Sequence, residues 1–160
     1  MKKVRDSQRS KVYKWENSHI PNFYAVELTL HECELFITEA ISWWFRLSKS
    51  DVSMPLIKSG RGTRKARGSA HKINLPRWAR SKAVVLHETA HCLVDRMDHL
   101  SEDGGHGPYF MGTYIRLLGH FLELSRTELK QGAKAKKIKV MPSKYLNRPS
   151  RLSSFLSTAA

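Results

Sequence analysis

Two histidines and a glutamate fall within one five-residue run of this 160-residue chain, His87-Glu88-Thr89-Ala90-His91. On a helix, positions 87 and 91 stand one turn apart on the same face, with Cβ atoms about 5–6 Å apart, so both imidazoles can reach a single ion. Zinc takes nitrogen ligands at about 2.0–2.1 Å in a tetrahedral array that leaves a position for water. Glu88 then projects beside the ion rather than onto it, where it can take a proton from the metal-bound water and pass it to a leaving amine. Random placement of the chain's 8 His and 9 Glu gives about 0.02 HExxH motifs in a chain of this length, so chance is a poor account of it. The run supplies two ligands and a general base, and it needs a third ligand from elsewhere.

His106 is the leading candidate, in Gly104-Gly105-His106-Gly107-Pro108-Tyr109-Phe110. Glycines on both sides let the backbone turn sharply and bring the imidazole back towards the first pair. The rivals are His99, Glu102 and Glu123. His99 lies eight residues past His91, close to the end of the same helix. Glu123, inside the next helix, would make a glutamate-liganded site. The longer HExxHxxGxxH pattern is absent, since Val94 and Met97 stand where its glycine and histidine would be.

These residues need elements to position them. Leu28, Leu35, Ala40, Trp43, Trp44 and Leu47 recur mostly at three- and four-residue spacing, which predicts one long amphipathic helix from about Val26 to Leu47. Residues 51–63, with Pro55, Gly60 and Gly62, read as a loop. Gly68 to Leu75 alternates, with His71, Ile73 and Leu75 on one face, and predicts a short strand ended by Pro76. Ser81 can cap a second helix from Lys82 to about Met97 that carries the histidine pair. A glycine-rich turn over 99–107 leads to Pro108, suited to the first position of a third helix that runs to about Leu129 and ends at Gly132. The fold class expected is α+β, in one domain over residues 19–130. A basic flexible arm (1–18) precedes it and a basic C-terminal tail (131–160) follows it.

The formal net charge of +14 is unevenly placed. Residues 1–14 hold six basic residues against one acidic, 58–82 nine against none, and 130–151 eight against none. The stretches between, 15–57 and 83–129, are each net −4. Segregated positive charge points to a polyanion, most simply DNA bound through 58–82 and 130–151. No apolar run approaches the 18 or more residues that span a bilayer, and no signal peptide is evident at the N-terminus. The expectation is an intracellular monomer without membrane contact, in the cytoplasm or associated with nucleoid or nucleus, with Cys33 and Cys92 reduced.

HETAH, the GHGPYF segment, the fifteen-residue step from His91 to His106 and the basic extended segment before the HExxH helix together resemble the SprT-like (Spartan-type) metalloproteases, over about residues 68–120. In that family the second element reads GHGPxF. The resemblance implies a minimal zincin-like fold over that domain: a leading helix, a small sheet, the HExxH helix and a following helix bearing the third histidine. It implies that His87, His91 and His106 bind Zn2+, that Glu88 is catalytic, and that the substrates are proteins associated with DNA. The chain departs from many relatives after residue 130, where a lysine-rich tail stands in place of a cysteine zinc ribbon.

Other residues carry weaker signals. Cys92 falls on the helical position facing away from an ion held by its neighbours and reads as a small buried hydrophobe. His71 is expected to pack with Ile73 and Leu75. Of the consecutive Trp43, Trp44 and Phe45, at least one must be partly exposed, where it would cover the neck of a cleft. Trp78, between Arg77 and Arg80, fits base stacking beside phosphate-pairing cations or packing at a helix start, and composition does not choose. Tyr109 and Tyr114 are equal candidates to stabilise an oxyanion. Two alternatives to a DNA-directed peptidase stand: a nucleic-acid-binding module with structural zinc, and a zinc peptidase unconnected with DNA.

Overall fold

In the computed structural model, the described residues (5–46, 52–97 and 105–146) form five α-helices and one three-stranded sheet, a mixed α+β fold. In chain order the elements are α1 (Arg9–His19), α2 (Leu30–Arg46), β1 (Leu56–Lys58), β2 (Arg67–Gly68), β3 (Lys72–Asn74), α3 (Lys82–Asp95), α4 (Pro108–Phe121) and α5 (Arg126–Ala135). The core gathers around α3, against which α2, α4 and β2 all pack. Its start is set as the sequence predicts: the Ser81 hydroxyl accepts from the Val84 N–H at 3.2 Å and donates to the Phe23 carbonyl at 2.5 Å. Helix α2 begins at a capping box, in which the Thr29 N–H donates to Glu32 Oε2 (2.7 Å) and the Glu32 N–H to Thr29 Oγ1 (3.2 Å).

The predicted strand over Gly68–Leu75 is two strands and a turn. β3 is the central strand, parallel to β1 and antiparallel to β2, with Gly68 opposite Ile73 and Arg67 opposite Asn74. Ser69 closes the turn, its N–H and hydroxyl both reaching the Lys72 carbonyl (2.9 and 3.0 Å). His71 therefore sits exposed at the turn, while Ile73 and Leu75 are buried. The apparent alternation joined residues on opposite sides of a reversal. The turn is clamped to the end of α3: the Ala70 N–H donates to Asp95 Oδ2 (2.8 Å), and the buried Arg96 donates from Nε to the Ala70 carbonyl (2.9 Å) and from Nη1 to the Ser53 carbonyl (2.8 Å).

The expected flexible arm over 1–18 is overturned from Arg9 onward. Helix α1 buries Val12, Trp15 and Glu16, and the Trp15 indole N–H donates to the Leu129 carbonyl of α5 at 3.1 Å. Only two of the three buried positions are apolar, so a core-facing stripe reads as a polar segment. The predicted third helix also divides. Leu122–Ser125 interrupts it, with Glu123 at φ +53°, and Ser125 caps α5 by accepting from the Glu128 N–H (3.3 Å). Gly132 ends nothing. It lies within α5 against the His19 imidazole, so close that a Cβ would overlap the ring. The helix ends at Ala135 instead and Lys137 (φ +54°) turns the chain away, with Ile138 N–H returning to the Ala133 carbonyl and Lys137 N–H to that of Lys134, both at 2.9 Å.

The residues expected to begin a tail continue into the fold. Ile138 and Leu146 are buried, and the Met141 N–H donates to the Pro108 carbonyl at 2.9 Å. The remainder of that segment, 147–160, lies outside the described residues, as does Leu47 at the expected end of α2.

Trp15→Ala is expected to lower the free energy of unfolding by about 3–5 kcal/mol, since it removes a fully buried indole and its hydrogen bond. Urea unfolding with the slope unchanged reads this directly. An unshifted midpoint would mean that α1 does not belong to the core.

Candidate metal centre

Helix α3 places His87 and His91 one turn apart, and the turn at Gly105–Gly107 delivers His106 between the N-terminal segment and α4. The three Nε2 atoms converge, His87 standing 3.1 Å from His91 and 3.2 Å from His106. His87 and His106 are buried and His91 is half-buried, and their ligand atoms all lie within 4.8 Å of one another, so the group can hold one metal ion. Phe110 stacks on the His91 ring at 4.3 Å between centroids. Pro108 is at the first turn of α4, as predicted, directly after this loop. Gly105 has φ +30°, and a Cβ there would stand 2.5 Å from Asp6 Oδ2. Glu123, one of the rival ligands, is exposed in the α4–α5 turn and does not join the group; His99 and Glu102 lie outside the described residues.

Behind two of the three imidazoles stands a carboxylate. Glu16 Oε1 is 2.5 Å from His87 Nδ1, and Asp6 Oδ2 is 2.6 Å from His106 Nδ1. Facing an ionised carboxylate, each ring carries its proton on Nδ1, donates to that carboxylate and turns the Nε2 lone pair towards the common centre. Burial first, and then the neighbouring imidazoles, hold the pKa values of His87 and His91 well below the usual value, which keeps both rings in the neutral form that can ligate. Glu16 is pushed up to about 8 by burial, against the opposing pull of His106 and a hydrogen bond from Tyr114. Neither carboxylate is signalled in the sequence by a motif. The available hints are that Asp6 is the one acid among the basic residues of 1–14, and that Glu16 stands next to a tryptophan at a core-facing spacing from Val12.

Glu88 is buried beside the histidines, and its carboxyl is pushed up to about 7, burial dominating over a hydrogen bond from the Gly68 backbone. Gly68 lies directly on the Glu88 backbone, where any Cβ would overlap the Glu88 carbonyl. Strand β2 can therefore approach α3 this closely only with glycine at that position. An open cavity of about 300 Å³ reaches both His87 and Glu88, walled by Phe23, Tyr24 and Val84, with Tyr13 and Trp78 also lining it.

Trp78 is 44% exposed, its indole N–H donating to the Arg64 carbonyl (3.2 Å), so it lines this cavity rather than the core. Trp44 and Phe45 are buried and Trp43 half-buried as expected, but Trp43 stacks on His120 (4.1 Å) at the far end of α4, not at the neck of the cleft. Tyr114 is fully buried behind His87, held between Glu16 and the Ala83 carbonyl (3.4 Å), and does not face the cavity. Cys92 is buried, as is Cys33, and burial pushes both thiols up to about 11. Apart from the half-buried Arg80, the lysines and arginines of 58–82 are exposed. No described helix is long and apolar enough to cross a membrane. Comparison with protein-family models, curated proteins and solved structures finds no match.

Purified protein is expected to lose bound metal on His106→Ala and to keep it on Glu123→Ala, measured by elemental analysis. Glu16→Ala and Asp6→Ala are expected to weaken metal binding about 10–100-fold in chelator competition. Unchanged affinity in both would remove their role in orienting the rings.

Proposed function

We propose that this chain is a zinc-dependent metallopeptidase of minimal zincin type, SprT-like in its site, that hydrolyses peptide bonds in proteins associated with DNA. The observation that carries the reading is that one accessible cavity reaches both an imidazole of the metal group, His87, and the buried carboxyl of Glu88. Three nitrogen donors and no thiolate suit zinc with a position left for substrate or water. Their Nε2 separations of 3.1 and 3.2 Å are near the roughly 3.3–3.4 Å between nitrogens held about 2.0–2.1 Å from one tetrahedral ion. Bound zinc would supply Lewis acidity towards a carbonyl oxygen and towards water.

The remaining chemistry belongs to the chain. Glu88 takes a proton from the attacking water as its oxygen bonds to the carbonyl carbon. It returns the proton to the amine as the C–N bond breaks. Burial raises the Glu88 carboxyl above its ordinary value and so strengthens its hold on the proton it carries between the two halves. An extended peptide finds backbone partners at the β2 edge of the sheet, since Arg64, Lys65 and Ala66 just before β2 line the cavity. Arg64 and Lys65 line the cavity itself, and the exposed cations over 58–82 supply attraction for the phosphates of DNA. The rival reading, a nucleic-acid-binding module with structural zinc, accounts poorly for a ligand set of three residues that opens onto a cavity, because structural sites are usually closed by four protein ligands.

Glu88→Gln is expected to retain zinc and abolish cleavage of casein or histones; cleavage at the wild-type rate would sink the mechanism. DNA affinity is expected to fall steeply between 50 and 200 mM salt, as binding through several phosphates requires. Absent DNA binding, with cleavage intact, would leave a peptidase unconnected with DNA.

A further inference from the structure

We infer that Tyr13, positioned by Arg9, is a second catalytic residue of this site, its hydroxyl donating a hydrogen bond to the carbonyl oxygen that gains negative charge as water adds. This rests on the peptidase reading and assigns the oxyanion partner within it. Helix α1 has two working faces. One buries Val12, Trp15 and Glu16 against the core and the histidines, and the other presents Arg9 and Tyr13, one turn apart, to the cavity shared by His87 and Glu88.

Three observations select Tyr13 among the tyrosines. Its ring lies between the ligands and open space, edge-on to His106 at 5.2 Å and 6.2 Å from His87, yet the residue is 38% exposed. Its hydroxyl oxygen accepts from Arg9 Nε at 3.3 Å, with the guanidinium 5.6 Å from the ring centre. An oxygen already accepting from a cation keeps its own proton for an outside acceptor, and the cation favours charge gathering there. Tyr114, in contrast, is sealed behind His87, Tyr109 does not line this cavity, and Tyr24, which does, sets its ring against Phe23 and Trp78. Donors already aimed at a developing oxyanion act where the transition state differs from the bound substrate, so their removal falls on the chemical step.

The test uses the full-length, zinc-loaded protein and a peptide carrying a mapped cleavage site. Tyr13→Phe is expected to keep its zinc and thermal midpoint, hold KM within about twofold and lower kcat about 10²–10³-fold. A phosphinic peptide of the same sequence, which mimics the tetrahedral species, should lose affinity in calorimetry by a comparable factor. Arg9→Gln should show a smaller fall in kcat, again with zinc retained. Wild-type kcat in Tyr13→Phe overturns the proposal, as does a loss confined to KM or one that follows loss of zinc. Those failures leave wild-type activity intact and the peptidase reading standing. A zinc-loaded wild type that cleaves nothing, indistinguishable from Glu88→Gln, overturns both.

Discussion

A buried carboxylate facing an imidazole organises this molecule. Glu16 has almost no solvent, and a charge or an unpaired carboxyl in such a place is strongly unfavourable without partners. Its partners are His87 at 2.5 Å and the Tyr114 hydroxyl. Those partners stand on α3 and α4, so meeting Glu16's needs seats α1 across both helices. Trp15, the next residue, then reaches the Leu129 carbonyl on α5 and locks the same seat from the other side. The requirement that orients the His87 imidazole is also the requirement that closes the helical layer.

The sheet is tied to the same helix by different means. Asp95 and Arg96, at the end of α3, hold both backbone groups of Ala70 and so anchor the β2–β3 turn. One turn-length away along β2, the absence of a side chain at Gly68 lets the strand rest on the backbone of Glu88. The position of Glu88 relative to the sheet edge is thus set by a clamp of two charged residues and by one missing methyl group. Neither depends on the identity of any residue in the cleft.

Much of this was legible in the residues. HExxH on a helix capped by Ser81, the glycine-flanked His106 and the proline starting α4 follow from local rules that tertiary packing did not need to override. What stayed hidden has a common cause. In α1 a charged residue occupies a core-facing position, so periodicity of apolar residues understates the helix. In 68–75 a reversal fell between residues whose alternation happened to continue. The α4–α5 break carried a readable signal, the Ser125-to-Glu128 spacing of a helix start, masked by leucines on both sides. The pairing of Glu16 and Asp6 with His87 and His106 spans 71 and 100 residues, and no local rule reaches so far.

Gln8 shows what this topology implies for the order in which the chain is made. Its amide donates to the carbonyls of His106 (2.9 Å) and Lys139 (3.3 Å), and its oxygen accepts from the Lys139 N–H (2.6 Å). Residues near 8, 106 and 139 therefore close on one another as a single knot. On the ribosome the first helix is synthesised early, and its seat is complete only once α3, α4, α5 and the residues just after them have emerged. The histidines of α3 wait in turn for His106, fifteen residues beyond His91. A nascent chain thus carries the histidine pair before its third companion, and the whole arrangement closes only once residues near 139 have emerged.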